Sequence, residues 1–258
     1  MDFTRKIYSQ LFHSLKDRGY EFITYSEYCA GKRPACFVIL RHDVDRLPGH
    51  SLAIARQEAQ AGARATYYFR AVPESWNEAV IREIHRLGHE VGYHYESLTT
   101  CRGDVDAAYA DFCRNLEALR KLVPVSTVCM HGSPRSPYDS KDIWKKYDLS
   151  LLGISGEPYL TTDFGELLYL TDTGRRWDGY KVSVRDKIEA FQSRWDQAGW
   201  SFHTTQQVLD ALKKDLLPAG LMITTHPQRW NALGPAWMKE LLVQNLKNIV
   251  KRVIVISG

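Results

Sequence analysis

The chain lacks the cysteine pattern of a stapled protein. Its five cysteines (Cys29, Cys36, Cys101, Cys113 and Cys129) are odd in number, and no two stand in a Cys-x-x-Cys spacing. A disulfide framework is therefore not expected, and the plain reading is a reduced, cytoplasmic protein. Long apolar runs are missing too. Nothing approaches the ~18 consecutive apolar residues of a membrane span. The opening stretch "MDFTRKIYSQLFHSLKDRG" alternates charged with apolar residues where a signal peptide would carry an apolar core. Charge is not concentrated either. The net charge is +4, and Lys and Arg are scattered in runs no longer than "GRRW" or "LKK", so the clustered stripe of a nucleic-acid binder is absent. There is no linker, low-complexity tract or internal repeat. What remains is 258 residues with 44% hydrophobic and 25% charged residues, enough to bury a sizeable core.

The apolar residues that are present alternate between two periods. Phe3, Ile7, Leu11 and Leu15 recur at helical spacing until Gly19. A strand over residues 36–42 follows, then the helix "GHSLAIARQEAQAG", the strand "RATYYFR" and the helix "ESWNEAVIREIHRLG" closed by Gly88. "HEVGYHY" reads as a strand, "DVDAAYADFCRNLEALRKL" as a long helix, "VSTVCMHG" as a strand and "SKDIWKKYD" as helical. Residues 150–200 are less regular, with β-structure expected in "GELLYLTDTGRRWDGYKVSV". The alternation resumes with the helix "TTQQVLDALKKD", the strand "GLMITTH" and a last helix, "PAWMKELLVQNLKNIVKRVI". Strand and helix in turn are the signature of βαβ units and a parallel sheet. The expectation is α/β, a single barrel-like domain over residues 36–258 with a helical extension, residues 1–35, packed on it.

Polar residues fall where a buried strand should not have them. "ILRHDVDR" begins apolar and ends in ionisable groups, and alternation puts Asp43 and Asp45 on one side of the chain. His94 and Glu96 end "GHEVGYHYE", His131 ends "VCMHG" and His226 ends "LMITTH". Each lies at the C-terminal end of an expected parallel strand, the edge where α/β barrels build active sites. Any one of these alone could be an ordinary hydrogen-bonded residue, and His13, His50 and His85 in helical patterns are read that way. Together they form a nitrogen and oxygen donor set suited to zinc or a similar divalent ion. Two neighbouring carboxylates also repel each other unless a cation lies between them. Such an ion polarises a carbonyl and acidifies water, a carboxylate can take the proton, and an opposing histidine can protonate a leaving group. Amide or ester hydrolysis follows from that arrangement.

These residues resemble the polysaccharide deacetylase superfamily, the NodB-homology group of carbohydrate esterase family four. "HDVD" is similar to its first motif, "GHEVGYH" (residues 88–94) to its second, and "ITTHP" to the strand that carries its catalytic acid; the resemblance spans residues 36 to about 230. It implies a distorted (β/α) barrel of the NodB-homology type and metal-dependent removal of an N-acyl group, acetyl first, from an amino sugar, free or nucleotide-linked. It implies Asp43 as catalytic base, Asp45 and His94 as metal ligands and His226 as the acid that protonates the departing amine. The motif normally supplies a further histidine four residues after the first, but position 98 is Leu98. His131 and Glu96 are the candidates to replace it, with His131 preferred. The Arg-Pro pair that holds the base in the family corresponds loosely to "HGSPRSPY", whose Arg135 is a weaker candidate to hold a carboxylate or phosphate of the substrate. The branch it resembles is associated with bacterial surface-polysaccharide (O-antigen) assembly in the cytoplasm.

A substrate surface is expected near "TDTGRRWDG". There Arg175 and Arg176 could hold a carboxylate or phosphate while Trp177 stacks on a sugar, a reading preferred slightly over a solvated turn with Trp177 in a satellite core. Arg229 and Trp230 in "PQRW" pose the same choice. Two rival functions stand beside the deacetylase: a sugar-binding pseudoenzyme that lost a ligand at position 98, and a C–N hydrolase acting on formyl groups or other amides.

Overall fold

The computed structural model describes residues 1–133, 136–178, 187–231 and 234. Among these, seven strands pair in parallel throughout: β1 (Glu21–Ile23), β2 (Phe37–Val44), β3 (Thr66–Phe69), β4 (Glu90–Tyr95), β5 (Val128–Met130), β6 (Leu168–Thr171) and β7 (Gly220–Thr225). Parallel neighbours need long crossovers, and helices supply them. The helices are α1 (Arg5–Asp17), α2 (Tyr25–Cys29), α3 (Pro48–Gln60), α4 (Glu78–Arg86), α5 (Ser97–Thr100), α6 (Val105–Arg120), α7 (Pro158–Thr161), α8 (Glu189–Gln197) and α9 (Thr205–Lys213). The strand order is β5-β4-β3-β2-β7-β6, so the described sheet stays open between β5 and β6. The architecture is a single α/β domain, a distorted (β/α) barrel.

β2 is the centre of this sheet and is buried at every one of its eight positions, as a strand covered on both faces must be. One edge pairs with β7 from Phe37↔Gly220 to His42↔Thr225. The other edge is shared in succession by β1, opposite Phe37, Val38 and Ile39, and by β3, opposite Arg41 to Val44. Within the helical extension expected over residues 1–35, Glu21–Ile23 is a strand of this sheet. "SKDIWKKYD" forms a 3-10 turn over Ser140–Lys145 instead of an α-helix. Of the β-structure expected after Gly165, Leu168–Thr171 is a strand, and residues 179–184 lie outside the described residues. The expected last helix from residue 235 also lies outside them.

The two faces of β2 carry different chemistry. On the outer face His42 Nε2 meets Glu58 Oε1 of α3 at 2.9 Å and Nδ1 meets the Thr225 hydroxyl at 2.7 Å. Tyr67 donates to Glu58 Oε2 at 2.6 Å, and Tyr8 of α1 donates to the same carboxylate. His42 and Glu58 are wholly buried, so this network links α1, α3, β2, β3 and β7 with its polar groups satisfied, the condition under which such groups are tolerated in a core. On the inner face, Arg41 and Asp43 point toward the barrel interior with Tyr68 of β3.

The stretch "GHEVGYH" is readable residue by residue. Gly88 ends α4 with φ +91, a left-handed conformation that glycine adopts without penalty. His89 accepts from the Ala65 amide at 3.1 Å and so donates through Nε2 to the Ala55 carbonyl at 2.9 Å, which makes it a structural histidine. Glu90, Gly92 and His94 share the inner face. A methyl group on Gly92 would fall 2.4 Å from the edge of the Tyr68 ring and 2.8 Å from the Thr127 carbonyl oxygen. Gly92→Ala is expected to destabilise the fold by about 1–3 kcal/mol through overpacking. A urea unfolding midpoint equal to that of the wild type would show that Tyr68 can move away.

Candidate metal centre and active site

The parallel sheet delivers five expected residues to one edge: Asp43 and Asp45 from β2, His94 from β4, His131 after β5 and His226 after β7. Each histidine commits one ring nitrogen. His94 Nδ1 donates to the Cys129 carbonyl at 2.9 Å, His131 Nδ1 to Glu96 Oε2 at 3.0 Å and His226 Nδ1 to Asp172 Oδ1 at 2.6 Å. All three then turn Nε2 toward Asp45, at 3.7 Å, 3.5 Å and 4.0 Å respectively. The donor atoms of Asp45, His94 and His131 lie within 4.8 Å of one another.

The carboxylates are not equivalent. Asp43 is clamped by Arg41, Nε to Oδ1 at 2.9 Å and Nη2 to Oδ2 at 2.7 Å, with both side chains buried. Burial alone would raise its pKa, but the Arg41 guanidinium outweighs burial and holds the carboxyl below its usual range. Glu96 is gripped through Oε1 by Arg70 Nε and Nη2 at 2.9 and 2.6 Å; against burial, His131 and Arg70 bring its pKa down to about 2. Asp172 takes Arg229 Nη1 at 2.8 Å and Trp230 Nε1 at 2.7 Å. Asp45 alone of these four has no Arg or Lys at ion-pair distance among the described residues. Its Oδ2 accepts from Gln228 at 3.0 Å, and its buried Oδ1 has no hydrogen-bond partner.

That orphaned oxygen, flanked by two Nε2 atoms, fits a divalent cation with a mixed nitrogen and oxygen preference. Burial takes the His94 pKa down to about 4, which keeps the ring in the neutral form that ligates. A second cluster, Asp43, His94 and Cys129, fits less well, because a cation there would have to displace Arg41 from Asp43. At His226, burial and Arg229 act to lower the pKa, but Asp172 outweighs them and the net shift is upward. The two shifts thus favour the protonated form of His226 and the ionised form of Asp43.

Several sequence expectations need correction. Leu98 is buried against Ala108 and Ile143, so the α5 position that lacks a histidine does not face the site. Glu96 has both oxygens engaged by Arg70 and His131, which leaves His131 as the side chain offering a free donor atom. Trp177 is no sugar platform. It is fully buried beside Phe3 and Trp230 and donates to Thr205 Oγ1 at 3.0 Å. Arg176 is in a bidentate pair with Asp178 at 2.9 and 2.7 Å. Arg175 lies over the Phe3 ring at 4.9 Å. Trp230 also packs in the core, with Arg229 turned onto Asp172. Arg135 lies outside the described residues, and the guanidinium that holds Asp43 is that of Arg41. Arg41, Asp172, Arg70 and Gln228 were not singled out from sequence. The first carries a usable signal: a charged residue inside an apolar run, two positions before Asp43 and so on the same face.

No protein-family model matches the chain, and no curated protein matches it. Solved structures do. A CE4 esterase of Streptococcus mutans aligns at 16% identity with a TM-score of 0.45, covering 93% of this chain and 90% of that one. The peptidoglycan deacetylase PdaC of Bacillus subtilis aligns at 11% identity with a TM-score of 0.38, covering 84% and 96%. A mutant CE4 family pseudoenzyme with restored enzymatic activity aligns at 13% identity with a TM-score of 0.39, and this chain spans 62% of its length. No helix among the described residues is long and apolar enough to cross a membrane.

Arg41→Met preserves length and removes the counter-charge of a buried carboxylate. The expected loss is about 3–5 kcal/mol of folding free energy, measured by urea denaturation at neutral pH. An unchanged midpoint would show that Asp43 is compensated from elsewhere.

Proposed function

We propose that the chain is a metal-dependent hydrolase that removes an N-acyl group, acetyl first, from an amino sugar, with surface-polysaccharide assembly as its setting. The observation that carries the hydrolase reading is the orphaned Asp45 Oδ1 between the Nε2 atoms of His94 and His131, with Asp43 and His226 on the same edge. Asp45, His94 and His131 would hold the ion. When bound, a divalent cation such as zinc supplies a Lewis acid for the acyl carbonyl and a more acidic water.

The rest is done by the chain. Asp43, kept ionised by Arg41, takes a proton from the attacking water as its oxygen bonds to the acyl carbon. His226, held through Nδ1 by Asp172, delivers an Nε2 proton to the nitrogen as the C–N bond breaks. The products are a carboxylic acid and a free amine. The amino-sugar part of the reading rests on the resemblance of "HDVD", "GHEVGYH" and "ITTHP". The pseudoenzyme alternative drew on Leu98. His131 offers its Nε2 to the same carboxylate, which favours the hydrolase.

Chelator-stripped protein is expected to take up stoichiometric zinc, and Asp45→Ala, His94→Ala and His131→Ala should each weaken binding by ~10-fold or more. Full occupancy in any of the three would remove that residue from the centre. Asp43→Asn and His226→Ala should keep the metal and lose ~10²–10⁴-fold in turnover on N-acetylated amino sugars, the usual cost of removing a general base or acid. If Asp43→Asn strips the ion, Asp43 is a ligand. A panel of N-formyl and non-sugar amides turned over faster than the amino sugars would move the substrate class.

A further inference from the structure

We infer that Glu96 and Arg70 are positioning residues that make His131 a competent metal ligand in place of the one absent at Leu98; the inference rests on the reading of Asp45, His94 and His131 as the metal set. His131 sits beyond the last pair of β5, where the sheet no longer dictates its side-chain rotamer. Its main chain is fixed by donation from its amide to the Tyr95 carbonyl at 2.8 Å. The ring itself is fixed by Glu96. Oε2 of Glu96 accepts a hydrogen bond from Nδ1–H at 3.0 Å, which selects the tautomer with its lone pair on Nε2. Oε1 accepts two hydrogen bonds from Arg70, and Arg70 Nη1 donates to the Asp45 carbonyl at 3.2 Å.

The contacts close a ring: the Asp45 main chain, Arg70, Glu96, His131 and back to the Asp45 carboxylate at 3.5 Å. The same segment of chain thus anchors both the first ligand and the arm that aims the third. A carboxylate behind an imidazole also raises its basicity toward an ion, and loss of such a partner typically lowers metal affinity by ~10–100-fold.

The test is calorimetric titration of the stripped full chain with zinc, and with cobalt as a spectroscopic probe. Glu96→Ala should bind ~10–100-fold more weakly with cobalt absorption bands placed as in the wild type, because the atoms touching the ion are unchanged. Glu96→Gln, which keeps an acceptor for Nδ1, should recover part of that loss. His131→Ala should move the bands. An affinity within ~2-fold of wild type in Glu96→Ala overturns the inference and leaves the metal centre standing. Cobalt bands displaced in Glu96→Ala as they are in His131→Ala overturn it as well, since Glu96 would then touch the ion. A wild-type chain that binds neither ion overturns the metal centre itself.

Discussion

A buried carboxylate oxygen without a hydrogen-bond partner among the described residues, Asp45 Oδ1, is the constraint around which this barrel edge is arranged. Three acids at the edge have each been given an arginine: Asp43 has Arg41, Glu96 has Arg70 and Asp172 has Arg229. The fourth, Asp45, has three imidazole nitrogens at 3.5–4.0 Å and one amide. Desolvating a carboxylate is costly unless it is paired, and Asp45 Oδ1 has no hydrogen bond among the described residues. The arginines remove the other acids from competition for a cation, so that a divalent ion has one place to go. The same pairing separates roles among acids that share a few ångströms.

The sheet makes this possible through its period of two. Residues 41 and 43 face inward and residue 42 faces outward, so β2 presents an ion pair to the active edge and a histidine to the helices behind it. His42 and Thr225 are the last backbone partners of β2 and β7, and their side chains are joined as well, with Glu58 beyond. The residues that follow on each strand, Asp43 and His226, are the two assigned to proton transfer. Their strands are held together immediately before they diverge. A polar network sealed at the back of the sheet thereby supports geometry at its front without contact with substrate.

Much of this was legible in the sequence. The period of strand and helix, the interruption of apolar strands by Asp43, His94, His131 and His226, and the edge they share all follow from side-chain alternation and parallel topology. The partners were not legible. Glu96 and Arg70 belong to different strands, as do Asp172 and His226, and their pairing depends on strand order, which local patterns do not encode. β1 was missed because three residues before a short helix carry almost no periodic signal. "TDTGRRWDG" misled for a related reason. Composition made Trp177 a surface aromatic beside two cations, whereas packing with Phe3 and Trp230 placed the indole in the core and set Arg176 on Asp178.

The environments of Asp43 and His226 complete the chemistry. Both are buried, and burial alone would neutralise each: the aspartate would keep its proton and the histidine would lose it. Arg41 reverses the first tendency and Asp172 the second. The shifts favour an ionised Asp43 and a protonated His226, the reverse of what desolvation would give and the combination that the proposed hydrolysis calls for. Neither group could hold that state if its partner were exposed to water, because screening would weaken the pairing. The complete burial of Asp172 and near-complete burial of Arg41 therefore support the proposed mechanism, in which the core that excludes water from them matters alongside the residues at the mouth.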